Sequence, residues 1–195
     1  MRAILLTPYQ RHCKRWADGC GSEICTGARK VFCRGTVPCD VLFIGEAPGE
    51  SEEAVGKPFI GPAGKLMDHI IRRAIQYNKG GFPTLKCCLT NLVCCIPRNE
   101  EEGGKADEPP DSAIRACKPR LEEFIRLAQP RLVVAVGNHA RDWLDPKLRD
   151  HVEVPVEVKV VSIQHPAYML RQNQAQRDLL VQRAVVTIVN AVEEL

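Results

Sequence analysis

The chain has 195 residues, of which 45% are hydrophobic and 26% are charged, and this composition suits one compact globular domain with a substantial core. Its net charge of +3 is too small to indicate nucleic-acid binding by itself, so any DNA-binding face must be a local basic patch. Because no apolar run is long enough to cross a membrane and residues 1–15 lack the apolar core of a secretion signal, we expect a cytoplasmic protein that does not bind membranes.

The N-terminal segment, residues 1–37, holds several of the ten cysteines and has little helical or strand periodicity. We therefore expect that a cross-link or a bound metal group is needed to hold it in place. In a reducing compartment, cysteines are better explained as metal or cluster ligands, or as small core residues, than as disulfides. Cys20 and Cys25 form a C-x4-C pair that can reach one metal centre, and Cys13 is the substitute for one of them.

The stretch from Cys39 to Met67 predicts a ligand pocket. A short apolar run, Val41 to Ile44, predicts a buried parallel strand, and a tight turn with two glycines follows it. Phe59 comes next, in a loop rich in Gly and Pro, before a helix begins. Four carboxylates precede Phe59, one in the turn and three directly after it: Glu46, Glu50, Glu52 and Glu53. Open α/β sheets place ligands at such carboxyl ends of parallel strands.

Strands and helices alternate through the rest of the chain. We predict helices over residues 62–77, 111–129, 139–144 and 175–195, strands over 85–96, 132–136 and 156–163, a turn over 79–83 and a surface loop over 97–110. This alternation predicts an α/β fold with three layers, α/β/α, around a central, mostly parallel sheet of four strands. We expect a single domain over residues 1–195, with residues 1–37 packed on it.

The carboxyl ends of the predicted strands carry polar residues that should converge on one edge of the sheet: Gly45-Glu46, Thr90-Asn91, Gly137-Asn138 and His165-Pro166. The amide of Asn91 complements the O4 and N3 edge of a pyrimidine, but an Asn here can equally cap a loop. Phe59 can stack on a base or cover the sheet. His165, which Pro166 biases toward an extended backbone, can contact a ligand or serve the fold alone.

Three motifs carry a resemblance to a known family. GEAPGESEEAVGKPFIGPAGKLM, TNLVCC and HPAYMLR closely resemble, in this order, the motifs of the family 4 uracil-DNA glycosylases, and the resemblance runs from about Cys20 to Arg171. It implies a monomeric enzyme that flips uracil out of single- or double-stranded DNA and hydrolyses its N-glycosidic bond, leaving an abasic site. The alternative is an iron-sulfur accessory module that binds nucleic acid with an inactive or altered base pocket.

The same resemblance implies roles for individual residues in the pocket. Asn91 would read the uracil, Phe59 would stack on it, and Gly45 and Ala47 would bind it through closely approaching backbone. His165 would contact uracil O2 and stabilise the charge that develops on the departing base.

Two further groups act on the sugar and on the DNA strand. Glu46 and Glu52 are the candidates to stabilise the sugar cation and to orient the attacking water. The alternative is that some of the acids in this stretch, Glu53 first, only form a solvated loop. The third motif ends in an apolar tip that suits a wedge into the base stack, followed by a cation for a phosphate: Tyr168, Met169, Leu170 and Arg171. The structural alternative for these four is a helix N-terminus that packs on the core.

The resemblance also implies a 4Fe-4S cluster. Cys95 follows Asn91 at the family's spacing for a third ligand and Cys117 fits the fourth, so the implied ligands are Cys20, Cys25, Cys95 and Cys117. The chain departs from the family in its C-x4-C pair, where C-x2-C is usual, and in a longer loop between the last two ligands. The remaining cysteines in or beside strands are predicted to be small buried residues: Cys33, Cys39, Cys87, Cys88 and Cys94.

Overall fold

A five-stranded sheet forms the centre of the molecule. The computed structural model describes residues 5–77, 85–99, 104–147 and 150–195, and the predicted turn at 79–83 lies outside them. The sheet has the order β1-β3-β2-β6-β7, with β1 Arg34–Gly35, β2 Val41–Gly45, β3 Cys87–Asn91, β6 Leu132–Val136 and β7 Lys159–Ile163. The last four are parallel to one another, and β1 joins β3 antiparallel. The predicted α/β fold is confirmed, and β1 adds a fifth strand that makes the sheet mixed.

Helices connect these strands. Their bounds are α1 Pro8–Arg15, α2 Glu50–Val55, α3 Pro62–Tyr77, α4 Asp111–Ala128, α5 Asn138–Trp143, α6 Pro166–Leu170 and α7 Gln174–Glu193. Four of them match the predicted helices to within one or two residues. None of the helices in the described ranges is long and apolar enough to span a bilayer.

Helix α1 lies in the segment for which little periodicity was predicted, and its N-terminus explains why it forms. The hydroxyl of Thr7 accepts a hydrogen bond from the amide of Gln10 at 3.1 Å, and the amide of Thr7 donates to the Gln10 side chain at 2.8 Å. This capping box, with Pro8 at the first helical position, starts a helix of eight residues. This helix therefore begins at a local capping motif, which an analysis of apolar periodicity does not detect.

The sheet is covered on both sides because its central strands are apolar throughout. In β2, Leu42 and Ile44 pack against residues of α4, such as Phe124, in one hydrophobic cluster. The alternate residues, Val41 and Phe43, belong to a second cluster with α3 and α7. Neighbouring residues of a strand point to opposite faces, so this division is what a strand buried on both sides requires.

The chain leaves the sheet earlier than predicted after β3. This strand ends at Asn91, not near residue 96, and the following residues turn away while remaining buried. Short strands β4 Arg98–Asn99 and β5 Lys105–Ala106 then pair antiparallel within the predicted surface loop. Arg98 ties this β4-β5 hairpin to α2 through ion pairs with Glu50 and Glu53.

Candidate functional site

A cavity of about 790 Å³ opens at the carboxyl ends of the parallel strands. The four strand ends that were predicted to converge all contribute to its wall. The lining includes Glu46, Phe59, Asn91, Gly137, His165 and Tyr168. The predicted convergence on one sheet edge is therefore confirmed. Ala47, Glu52 and Arg171 also line this cavity.

Phe59 is held in a conformation that few side chains adopt. Its φ angle is 56°, in the left-handed region, yet the residue is only 6% exposed. Helix α3 must pass close beneath it, because a Cβ at Gly64 would lie 1.8 Å from the carbonyl oxygen of Phe59. The ring of Phe59 lies 6.5 Å from that of His165, measured between centroids.

Arg34 fixes the carbonyl groups of this strained turn. Its Nε donates to the carbonyl of Pro58 at 2.8 Å, and its Nη2 donates to that of Phe59 at 2.9 Å. The same Nη2 forms an ion pair with Asp68 at 2.6 Å. Such a bidentate grip on two consecutive carbonyls suits the planar guanidinium.

Glu52 fixes the amide groups of the same turn. Its Oε1 accepts hydrogen bonds from the amides of Ile60 at 3.0 Å and Gly61 at 2.9 Å, and its Oε2 accepts one from Gly49 at 3.2 Å. A carboxylate engaged by three backbone donors is a structural anchor. The geometry therefore gives Glu52 an anchoring role in this turn, and its catalytic role stays a prediction.

Glu46 has its carboxylate in a different setting. Burial raises the pKa of Glu46, and the charge of Glu108 adds to this, while His139 opposes it. His139 Nδ1 lies 3.4 Å from Glu46 Oε1, and His139 Nε2 lies 3.7 Å from Glu108 Oε2. The sequence analysis did not identify His139, although its position directly after the Gly137-Asn138 end of β6 was a usable signal.

Asn91 ends β3 inside the wall of the cavity and is 3% exposed. The backbone after it is tied to β2, because the amide of Leu92 donates to Gly45 at 2.9 Å and that of Val93 donates to Glu46 at 3.2 Å. A Cβ at Gly45 would lie 2.5 Å from Asn91 Oδ1 and also 2.5 Å from the Phe59 ring. Only glycine fits there.

His165 caps the short helix α6, and this contact determines its tautomer. Its Nδ1 accepts a hydrogen bond from the amide of Ala167 at 3.1 Å, so the proton of the neutral ring is on Nε2. Burial lowers the pKa of His165, and the nearby charge of Arg171 lowers it further. The ring is therefore a neutral donor through Nε2 at neutral pH.

The residues of the predicted wedge, Tyr168 to Arg171, differ in their exposure. Tyr168 is 42% exposed, and the guanidinium of Arg171 lies 6.0 Å from its ring centre. Leu170 is half-buried. Met169 is fully buried in the second hydrophobic cluster, so the DNA contact expected of Met169 is replaced by packing.

A group of cysteines lies in the hydrophobic cluster on the α4 face of the sheet. We call Cys20, Cys25, Cys94, Cys95 and Cys117 the cysteine cluster. The Sγ atom of Cys25 lies 3.4 Å from that of Cys20 and 3.1 Å from that of Cys95. The Sγ atom of Cys94 lies 3.8 Å from that of Cys95 and 3.9 Å from that of Cys117. Every cysteine predicted as a ligand is in this group, and Cys94 is an unexpected fifth member.

The donor set of the cysteine cluster fits iron-sulfur chemistry. Hydrogen bonds from the Cys94 thiol are the main reason that the pKa of Cys25 falls to about 5, so a thiolate is stable there. Sulfur-only ligands suit either an iron-sulfur cluster or zinc. Among residues 5–77, 85–99, 104–147 and 150–195, no three Cys, His, Asp or Glu side chains are arranged for one metal ion. Cys13 contacts Tyr9, outside the cysteine cluster.

Comparison with known proteins gives one family. A model of the uracil DNA glycosylase superfamily matches residues 34–188. Curated relatives include type-4 uracil-DNA glycosylases from Saccharolobus solfataricus (34% identity, 61% of this chain), Sulfurisphaera tokodaii (30%, 64%) and Thermotoga maritima (30%, 77%). The matched stretch covers 50%, 52% and 77% of those proteins, so the chain spans about half the length of the first two.

The three hydrogen bonds of Glu52 give a test of its structural role. Glu52→Ala should lower the free energy of unfolding by roughly 1–3 kcal/mol, because three amides lose a charged acceptor. Glu50→Ala, on the same helix, should cost less than about 1 kcal/mol, because it removes only an exposed ion pair. Urea denaturation followed by circular dichroism measures both values, and equal losses would contradict the anchoring role.

Proposed function

Since the chain belongs to the uracil DNA glycosylase superfamily, we propose that it is a type 4 uracil-DNA glycosylase. It removes uracil that has been flipped out of DNA by hydrolysing the N-glycosidic bond, and it leaves an abasic site. The observation that carries this proposal is the meeting of Phe59, Asn91 and His165 at one cavity. An aromatic face, an amide and a neutral imidazole are the groups that a flipped pyrimidine requires.

Base recognition divides between stacking and hydrogen bonding. Phe59 supplies the stacking surface, and its fixed backbone means that little ordering is needed when the base enters. Asn91 offers one acceptor and two donors to the N3 and O4 edge of uracil. Gly45 and Ala47 bring the backbone of the turn close to the base, because Gly45 has no side chain to obstruct it.

Catalysis depends on stabilising charge as the glycosidic bond breaks. His165 donates from Nε2 to uracil O2, and the negative charge on the departing base strengthens this hydrogen bond in the transition state. The sugar becomes cationic at the same time. Glu46 stabilises that cation and orients the water that attacks it, and His139 Nδ1 lies 3.4 Å from its carboxylate. We propose Glu46 for this role because Glu52 is engaged by the amides around it.

An iron-sulfur cluster is part of the proposal. Cys20, Cys25, Cys95 and Cys117 would hold it, with Cys94 beside them as an alternative sulfur ligand. When bound, a 4Fe-4S cluster supplies the staple that the irregular segment around Cys20 and Cys25 needs in order to pack on the domain. The buried cysteines around it are consistent with such a group.

The rim of the cavity provides the contacts with DNA. Tyr168 and Leu170 are placed to fill the space that the flipped base leaves, with Met169 supporting them from the core, and Arg171 contacts a phosphate. Uracil-containing DNA is the proposed partner. A monomer, a cytoplasmic location and one domain over the whole chain remain predictions.

Release of uracil from a labelled oligonucleotide is the direct test of this function. The proposed enzyme leaves alkali-labile abasic sites in both single- and double-stranded DNA that contains one uracil. An accessory module that only binds nucleic acid would shift the same oligonucleotides in a gel without releasing base, and that outcome would overturn the enzymatic proposal.

The role of His165 predicts a large loss of rate without loss of binding. His165→Ala should lower the single-turnover rate by roughly two to three orders of magnitude, the scale for one lost oxyanion donor. DNA affinity should change little, because the hydrogen bond is strongest in the transition state. His69→Ala, in α3, is the matched control and should keep the parent rate. A His165→Ala enzyme with the parent rate would remove His165 from catalysis.

Asn91→Asp tests how the base is read. A carboxylate accepts a hydrogen bond from the cytosine amino group, where the amide donates to uracil O4, so discrimination against cytosine should weaken. The measurement is the ratio of excision rates from oligonucleotides that carry uracil or cytosine at one position. If the rate on uracil falls and the ratio is unchanged, Asn91 contributes to the fold but not to base choice.

Metal content tests the cysteine ligands. Protein purified without oxygen should be brown and contain about four irons per chain. Cys95→Ala should lose the colour and much of the stability, because it removes a thiolate ligand. Cys88→Ala, at an equally buried cysteine of β3, should cost only packing and keep the iron. Colourless protein with stoichiometric zinc would overturn the iron-sulfur assignment.

A further inference from the structure

Arg120 is a charged side chain in the interior of the protein. It lies in α4, three residues after Cys117, and is 1% exposed, which makes it the largest of the fully buried side chains among the described residues. Long charged residues are almost never this buried unless they are paired. Neither the sequence motifs nor the proposed chemistry accounts for it.

The hydrogen bonds of Arg120 lead to the strand end that carries Asn91. Its Nη2 donates to the backbone carbonyls of Asn91 and Leu92, both at 2.8 Å. Its Nη1 lies 3.3 Å from the hydroxyl of Thr90. Its Nε has no hydrogen-bond partner and is buried. Arg120 therefore fixes the backbone at the point where β3 ends and the chain turns away from the sheet.

The charge of Arg120 is balanced by sulfur. Its main electrostatic partners are sulfur atoms of the cysteine cluster, first that of Cys117 and then that of Cys94. The hydrogen bonds described above reach only neutral oxygens, which cannot neutralise a cation. A buried ion without an opposite charge strongly destabilises the folded state. The cysteine cluster therefore needs to carry negative charge when the protein is folded.

We propose that Arg120 is a positioning residue that connects the cysteine cluster to the base-reading strand end. Its cation neutralises part of the charge of the thiolate-bound group, and its two carbonyl hydrogen bonds hold Asn91 at the cavity. The part that concerns the cluster rests on the proposed iron-sulfur group, and the part that concerns Asn91 rests on the proposed reading of uracil.

A fixed positive charge beside an iron-sulfur cluster has a predictable effect on electron uptake. Reduction adds negative charge to the cluster, and a nearby cation stabilises the reduced form more than the oxidised form. Removal of the cation should therefore make the cluster harder to reduce. A residue that only fills space would not change this equilibrium in a defined direction.

Two variants separate the charge of Arg120 from its shape. Arg120→Met removes the charge and all the donors, whereas Arg120→Lys keeps the charge but loses the planar fork that grips two carbonyls. Arg126→Met, at an exposed arginine of the same helix, is the matched control. Each is prepared without oxygen and used with its cluster in place.

The first measurement is the midpoint potential of the cluster, followed by its visible absorption in a redox titration. Arg120→Met should shift the reduction equilibrium toward the oxidised form by on the order of tenfold, while Arg120→Lys and Arg126→Met stay close to the parent. A coloured, folded Arg120→Met protein with the parent potential would overturn the electrostatic part. If Arg120→Met does not fold, the electrostatic part is tested on Arg120→Lys, which keeps the charge. A shift of its reduction equilibrium by tenfold or more would then overturn that part.

The second measurement is hydrogen exchange at Leu92 and Val93, whose amides bond to Gly45 and Glu46. Exchange should be at least about tenfold faster in Arg120→Lys than in Arg126→Met, because the carbonyls beside these amides lose their clamp. Equal exchange would overturn the positioning part. Both measurements are made without DNA. Failure to release uracil would therefore contradict the proposed function, whereas this inference is decided by the potential and by the exchange rates alone.

Discussion

The site depends on a missing side chain at Gly45. This residue ends β2, and a Cβ on it would lie 2.5 Å from both the Asn91 amide oxygen and the Phe59 ring. The Asn91 amide and the Phe59 ring can approach one another only because that space is empty. The remaining polar groups are arranged around this contact: Arg34 and Glu52 hold the turn that carries Phe59, and the amides after Asn91 bond back to Gly45 and Glu46. The first and second motifs therefore form one packed unit.

This unit lies between two supports of different chemistry. Phe59 belongs to the hydrophobic cluster on the α3 and α7 side of the sheet, where apolar packing holds it. Asn91 is approached from the other side, where Arg120 and the cysteine cluster lie. Iron bound on that side would stabilise the strand end that carries Asn91 without contact with a bound base. The proposed metal group would then have a structural role, since the proposed reaction requires no electron transfer.

Sequence reasoning predicted the features that depend on regular patterns. The parallel strands, the long helices and the meeting of strand ends follow from apolar runs and from turn residues such as Gly45 and Gly137. It missed features that depend on single contacts. The carboxylates of Glu46 and Glu52 are indistinguishable in the sequence, and only the amides of Ile60 and Gly61 reveal that one is an anchor. Burial of Met169 within an exposed motif, and of Arg120 within an amphipathic helix, is likewise decided by tertiary packing.

The charges around the cavity follow a division that the proposed reaction requires. Glu46 lines the cavity, and the exposed Glu108 reaches His139 from the segment after β5, so two carboxylates lie on this side of the cavity. A phosphate entering there would be repelled, whereas a flipped uracil is neutral and is not. Arg171, the cation at the rim, lines the same cavity beside Tyr168. In the proposed reaction the acids would repel a phosphate and would favour the sugar once it becomes cationic, so one charge pattern would act on both binding and the chemical step.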